Sequence, residues 1–155
     1  MTLAVIRVTA ERTHDLRRKV LRAERPEVSV VFPIDADPET VHFAIAERES
    51  EPSALLGVST WGSALSPAGP AGPGMQLRGM AVDPNHRGRG LGHLLVAAGL
   101  ALARERGAVV AWANARDSAL GFYEHEGFSV VGDGFLTADT GLPHHVILYR
   151  LHPEK

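Results

Sequence analysis

The stretch from Met75 to Ala113 constrains the fold more than any other, because an apolar strand, a glycine-rich turn, an amphipathic helix and a second apolar strand follow one another there. Met75 to Val82 reads as the first strand, and Asp83-Pro84-Asn85 turns the chain. Leu91, Leu94, Leu95, Ala98 and Leu102 mark one face of a helix that ends near Arg106, with Gly107 as its stop. Ala108-Val109-Val110-Ala111-Trp112-Ala113 is a nearly continuous apolar run, the pattern of an interior strand covered on both faces. Two strands joined through a helix are expected to lie parallel in one sheet.

The remaining chain fits around this unit. Thr9 is read as the N-cap of a helix reaching Glu24, with Leu16, Val20 and Leu21 at helical spacing and Pro26 forbidding easy continuation. Pro26 to Pro38 reads as irregular chain near a site opening. Val41, Phe43 and Ile45 alternate with smaller or polar residues, and a polar turn about Glu49 to Ser53 leads into a second alternation from Leu55 to Trp61, which predicts a hairpin. The proline- and glycine-rich excursion from Ser63 to Gly74 fills neither strand nor helix. Asp117 or Ser118 caps a short helix through His125 before Gly127. Phe128 to Val131 and His144 to Leu151 are the last strands, separated by a loop with Asp133-Gly134 and Asp139 to Pro143.

The expected class is α/β (α+β), with residues 1–155 as a single domain. Hydrophobic residues make up 45% and charged residues 22%, which argues against disorder, and no apolar run reaches the roughly 18 residues of a membrane span. With no cysteine there is no disulfide framework or thiolate metal site, and a soluble cytoplasmic protein is expected. A net charge of -2 supplies no electrostatic reason for a nucleic-acid partner. The cluster Arg17-Arg18-Lys19, with Arg22 and Arg25, reads as a solvated helix face.

The turn Arg87-Gly88-Arg89-Gly90-Leu91-Gly92 sits between strand and helix. Its glycines let the backbone approach a ligand closely, the first helical N–H groups lack partners, and the helix dipole and two arginines add positive charge. A diphosphate is the natural ligand; the alternative is a turn that merely lets helix and strand pack. A dinucleotide fingerprint counted from Gly88 needs glycine where His93 stands, and a nucleotide P-loop needs a Lys followed by Ser or Thr, so both are disfavoured.

The segment Val82-Asp83-Pro84-Asn85-His86-Arg87-Gly88-Arg89-Gly90-Leu91-Gly92 resembles the R-x-x-G-x-G coenzyme A signature of the GCN5-related N-acetyltransferase (GNAT) superfamily. Asn114, Ala119, Phe122, Tyr123, Glu124, Gly127 and Phe128 resemble its second signature, with slightly different spacing. The resemblance covers about Gln76 to Val131. It implies a mixed central sheet with helices on both faces and parallel strands, Met75 to Val82 and Ala108 to Ala113, that splay apart to admit acetyl-CoA as cosubstrate. Met80, Ala81 and Val82 would pair with the pantetheine amides, and Arg87, Gly88, Arg89, Gly90, Leu91, Gly92 and His93 would hold the pyrophosphate. Asn114 and Tyr123 would also contact the cofactor, with Tyr123 as general acid toward the sulfur. Dimerisation is common among the proteins the chain resembles.

Aminolysis of a thioester needs a neutral amine, a stabilised oxyanion and a proton for the departing thiolate. Some relatives place a glutamate on the strand before the phosphate loop, but Gln76-Leu77-Arg78-Gly79-Met80-Ala81 contains no carboxylate. His42 and His144 are the candidate bases, with His145, Asp35 and Asp37 in reserve. His144 and His145 point to opposite faces if both lie in a strand, which argues against a paired metal site. Trp61 and Trp112 read either as acceptor-pocket lining or as core. The expected activity is N-acyl transfer to a small-molecule or peptidyl amine, without metal, nucleic acid or membrane. The competing reading is a coenzyme A-binding sensor or interaction module without turnover.

Overall fold

The structure, a computed structural model, describes residues 2–47 and 54–151. The turn expected about Glu49 to Ser53 therefore lies largely outside the described residues. Seven strands form a mixed sheet in the order β1 (Leu3–Val8), β2 (Val41–Glu47), β3 (Leu55–Ser63), β4 (Gly74–Val82), β5 (Val110–Arg116), β7 (Pro143–Arg150) and β6 (Ser129–Leu136). The residues group into two compact units, Met1–Gly62 with Gly79–Gly99, and Ser63–Arg78 with Leu100–Lys155.

In the first unit β1 pairs antiparallel with β2, and β2 with β3, as the alternating pattern predicts. Directly paired residues share a face. Ala44 and Val58 thus lie together and pack with Ala81 and Leu16, flanked by Ile6, Val8, Val20 and Leu21. This cluster seats a helical segment over residues 10–21, composed of a 3-10 turn Ala10–Thr13, a single α turn α1 (His14–Leu16) and a π turn Arg17–Leu21. The segment stops short of Glu24, and Thr9 makes no side-chain cap. Its π turn widens the helix at Arg17, whose side chain is fully buried. The expected solvated basic face is thereby corrected for Arg17, and also for Arg22, which is buried as well.

Trp61 lies on the opposite face of β3 and is fully buried, its indole N–H donating to Ser59 Oγ at 2.9 Å. A Cβ on Gly99 of α2 (Leu91–Glu105) would overlap the Trp61 ring. That contact fixes the rotation of α2. Leu91, Leu95, Val96, Leu100, Leu102 and Ala103 are buried, whereas Leu94, expected on the apolar face, is exposed. The helix ends as its glycine predicts. Gly107 takes φ +76, its N–H donates to Arg104 O, and Ala108 N–H donates to Ala103 O, the paired bonds of a Schellman stop.

In the second unit the start of β4 runs parallel to β5, with Gly74↔Val110 through Gln76↔Trp112. Strand β5 begins later than expected, because Ala108 N–H is committed to capping α2, and it continues through Asn114 to Arg116. Val110 and Trp112 on one face of β5 form a core with Leu148, flanked by Val109, Val131 and Val146, and Ala111 and Ala113 on the other face are buried as well. Trp112 Nε1 donates to Ala64 O at 2.8 Å, and Ala64 N–H donates to Gly74 O, which fastens the base of the glycine and proline excursion. Both tryptophans are core residues.

A 3-10 turn Asp117–Ala119 leads into α3 (Leu120–His125), which also ends in a Schellman stop, at Gly127. Strand β6 runs on to Leu136, so Asp133 and Gly134 lie inside a strand rather than in the predicted loop. They sit where the register with β7 shifts between Val131 and Phe135, an irregularity of the bulge type that accommodates turn-forming residues within a ladder.

Candidate active site

The first unit carries the glycine and arginine loop. Asp83 opens it: its carboxylate accepts from Asn85 N–H at 2.9 Å and pairs with Lys19 Nζ at 3.1 Å. The Asn85 N–H first, and Lys19 after it, hold the Asp83 carboxyl below the usual carboxylate range. A 3-10 turn Pro84–His86 follows, and Arg89 Nη1 approaches His86 Nδ1 at 3.2 Å. Gly88 and Gly90 adopt φ +80 and +77, yet a Cβ at either would meet no atom within 4 Å. Glycine is needed there for backbone conformation, and the space above it stays open. Left-handed residues alternating with ordinary ones build a concavity of N–H groups that suits an anion. Gly90 O accepts from Leu94 N–H at 3.1 Å, which places the start of α2 at that concavity. Leu91 is buried and anchors the first turn, and Arg87, Arg89 and His93 are exposed. The residues expected to hold a pyrophosphate therefore converge in one loop, and their chemistry fits that group.

At the end of β4, Ala81 points into the Leu16, Ala44 and Val58 cluster, and Val82 faces Gly57. Met80 and Val82 are half-buried. Gly79, just before them, has φ +60, a left-handed break in the strand, and a Cβ there would fall 2.6 Å from Phe32.

His42 belongs to a buried polar cluster that the sequence did not reveal. Arg17 donates to both Asp35 oxygens at 2.7 and 3.0 Å, to Val30 O at 2.8 Å and to Thr60 Oγ1 at 2.7 Å, and its guanidinium lies 3.9 Å from the Phe32 ring centroid. His42 Nδ1 lies 2.8 Å from the same Thr60 Oγ1, and its Nε2 lies 4.0 Å from Asp35. Burial pushes the His42 pKa down; the nearby Asp35 carboxylate opposes this only in part. Burial works against the ionised Asp35, but hydrogen bonds from Arg17 and Phe32 N–H, with the Arg17 charge, hold its carboxyl below the usual range. The cluster ties the 26–38 loop to the sheet.

The second unit carries Asn114, Tyr123, His144 and His145. Asn114 is exposed in β5. Tyr123 is buried on α3, packed edge-on against Phe122 and Phe128. Burial raises its pKa, so the hydroxyl stays protonated across the physiological range. No described residue hydrogen-bonds that hydroxyl. His144 and His145 face opposite sides of β7, as expected. His144 is buried, with Nδ1 2.8 Å from Leu142 O and its ring stacked on Phe135. His145 is half-buried, and its Nδ1 lies 2.7 Å from Asp117 Oδ1. Asp117 had been readable only as a helix cap. Among the described residues no group of three His, Asp or Glu side chains is arranged to hold a metal, and no helix is long and apolar enough to cross a membrane.

The chain thus has a mixed seven-stranded sheet with a parallel strand pair joined through α2, and a glycine- and arginine-rich loop at the head of that helix. A sequence model of the acetyltransferase (GNAT) family matches residues 9–128, and the chain belongs to that family as an N-acetyltransferase. It is 22% identical over 148 residues to the uncharacterized N-acetyltransferase YitI of Bacillus subtilis strain 168, covering 96% of this chain and 95% of that protein. Its fold matches that of Arabidopsis thaliana NAA60, solved in complex with a bisubstrate analogue, with a TM-score of 0.77 at 14% identity over 99% of this chain and 100% of that one. An acyl-CoA N-acyltransferase from Pseudomonas aeruginosa matches with a TM-score of 0.73 at 20% identity, over 95% and 99% of the two chains.

Proposed function

We propose that the protein transfers an acetyl group from acetyl-CoA to a primary amine by direct attack within a ternary complex, residues 1–155 acting as one catalytic domain. The observation that supports this reading is Tyr123: a largely buried side chain on a short helix that ends at Gly127, whose protonated hydroxyl has no hydrogen-bond partner among the described residues. Such a group can donate a proton to a departing thiolate without first losing it to water.

The loop residues Arg87 to His93 would hold the pyrophosphate through backbone N–H groups, the α2 dipole and the arginine charges. Backbone N–H groups about Met80 to Val82 would orient the thioester arm and polarise its carbonyl. Asn114 would contact the cofactor from β5. When bound, acetyl-CoA supplies an activated acyl group, so no covalent enzyme intermediate is required. The acceptor is a small-molecule or peptidyl amine. Of the two base candidates named from the sequence, His42 lies inside the Arg17 cluster and His144 beneath Phe135, both buried.

Acetyl-CoA should raise the melting temperature, and a panel of primary amines should include one that releases free thiol. With that acceptor, Tyr123→Phe should lower kcat by about 10²-fold or more while leaving the acetyl-CoA stabilisation in place. Acetyl-CoA stabilisation without thiol release for any amine would make the chain a coenzyme A-binding module and end the enzymatic reading.

A further inference from the structure

We propose that His145 is the general base of the acetyl transfer and that Asp117 is its positioning residue. The proposal rests on the transferase reading above and adds the group that removes the proton from the acceptor.

The geometry is that of an oriented imidazole. Asp117 Oδ1 lies 2.7 Å from His145 Nδ1, and since a carboxylate only accepts, Nδ1 carries the hydrogen and Nε2 presents its lone pair. No described residue hydrogen-bonds Nε2. Gly134 lies beside the Cε1–Nε2 edge of the ring and only a residue without a side chain fits there, since a Cβ would fall 2.8 Å from Cε1 and 3.1 Å from Nε2. The side chains of His145 and Asp117 are 24% and 39% exposed, so the pair is held yet reachable.

Its position follows from the strand register. His145 pairs with Ala115, near the carboxyl end of β5, which runs parallel to β4 at its start. In sheets with parallel strands, ligands bind outside those carboxyl ends. Asp117 begins the turn that runs directly into α3, which carries Tyr123. Tyr149 lies on the same face of β7 as His145, four residues on, and it packs against Phe128, which packs against Tyr123. Base and acid therefore belong to the same face of β7. The other histidines lack this combination. His42 is buried and shares Thr60 with Arg17, and His144 is buried beneath Phe135 on the far face.

The step balances without a further reactant. His145 Nε2 takes one proton from the acceptor ammonium, and the neutral amine forms the N–C bond to the acetyl carbonyl. The C–S bond breaks as Tyr123 protonates the sulfur, and the second proton shed by the amine nitrogen restores Tyr123. The proton on His145 passes to solvent. The charged groups on the elements around His145 are Asp117, Arg116 at the end of β5 and Asp133 in β6.

The test compares wild type, His145→Gln and Asp117→Asn in thiol release with an active amine, across pH, alongside acetyl-CoA-induced thermal shifts. His145→Gln should lose about 10²-fold or more in kcat/KM for the amine and lose the acid limb of the pH profile, while the acetyl-CoA shift is kept. Asp117→Asn should lose less, and in kcat rather than in KM for the amine, because an imidazole without its carboxylate is no longer held in the reactive tautomer. A wild-type rate and unchanged acid limb in His145→Gln would overturn the proposal and leave the transferase reading standing. A wild-type kcat in Asp117→Asn would remove Asp117 from the role. Absence of thiol release by the wild type itself would overturn both, and is distinguished by that.

Discussion

Arg17 with Asp35 and His145 with Asp117 are the same kind of pair, a nitrogen cation or cation precursor 2.7 Å from a carboxylate oxygen, placed in opposite circumstances. Arg17 is 0% exposed and Asp35 6%, and the guanidinium divides its donors among Asp35, Val30 and Thr60. The His145 pair is part-exposed and keeps one ring nitrogen open. Contact distance does not separate them. What separates them is access: the buried pair fixes a loop in place, its one unpartnered donor, Arg17 Nε, out of solvent's reach, and the part-exposed pair presents a ring nitrogen that a ligand can reach.

The largest effect should come from breaking the buried pair. Arg17→Met leaves Asp35 buried without its cation, and removing one partner of a buried ion pair costs about 3–5 kcal/mol. Denaturant midpoints should fall accordingly, with a melting temperature lower by about 6 °C or more. A loss under about 1 kcal/mol would mean that the cluster contributes little to the fold and that the contrast with His145 is false.

A smaller effect is expected from pH. His42 has its folded pKa below the unfolded value of 6.5 because burial disfavours the imidazolium. As pH falls from that value toward the lowered one, the unfolded chain binds a proton that the folded chain refuses, so stability must decline. The slope from one such group is at most about 1.4 kcal/mol per pH unit. Asp35 adds a second decline, below its ordinary value of 3.8, as the carboxylate that Arg17 holds is finally protonated. Midpoints measured between pH 7.5 and 5 should show the first decline in wild type and a flatter line in His42→Gln. An equal slope in both would place the titration elsewhere.

The same contrast explains what could be read in advance. The phosphate loop, both helix stops and the strand alternation are local: Gly88, Gly90, Gly107 and Gly127 state their left-handed conformations in the sequence itself. Arg17 could not be read this way. Arg17-Arg18-Lys19 has the composition of a wet helix face, and only a π turn and the return of Val30 to Asp35, with Thr60 from β3, bury one member of it. Asp117 and His145 stand 28 residues apart and meet only through the β5–β7 register. The inward turn of Gly99, and with it the exposure of Leu94, likewise depends on Trp61 from another element. The loop conformation was legible because it is set by local glycines; the Arg17–Asp35 and His145–Asp117 contacts were not, because they join side chains brought together by tertiary structure.

The smallest expected effect is the sharpest test of the contrast. Asp117→Asn keeps the shape of the side chain and can still accept from His145 Nδ1, and exposed ion pairs contribute about 0–1 kcal/mol. Its denaturant midpoint should therefore match wild type within about 1 kcal/mol, even as kcat falls. Stability and chemistry would then respond to opposite pairs: Arg17→Met costs the fold and Asp117→Asn the proton transfer. If Asp117→Asn instead unfolded the protein as readily as Arg17→Met, the carboxylate would be holding the β5–α3 turn against β7. The open valence on His145 would then be a by-product of packing, and accessibility would no longer distinguish the pair that reacts from the pair that holds.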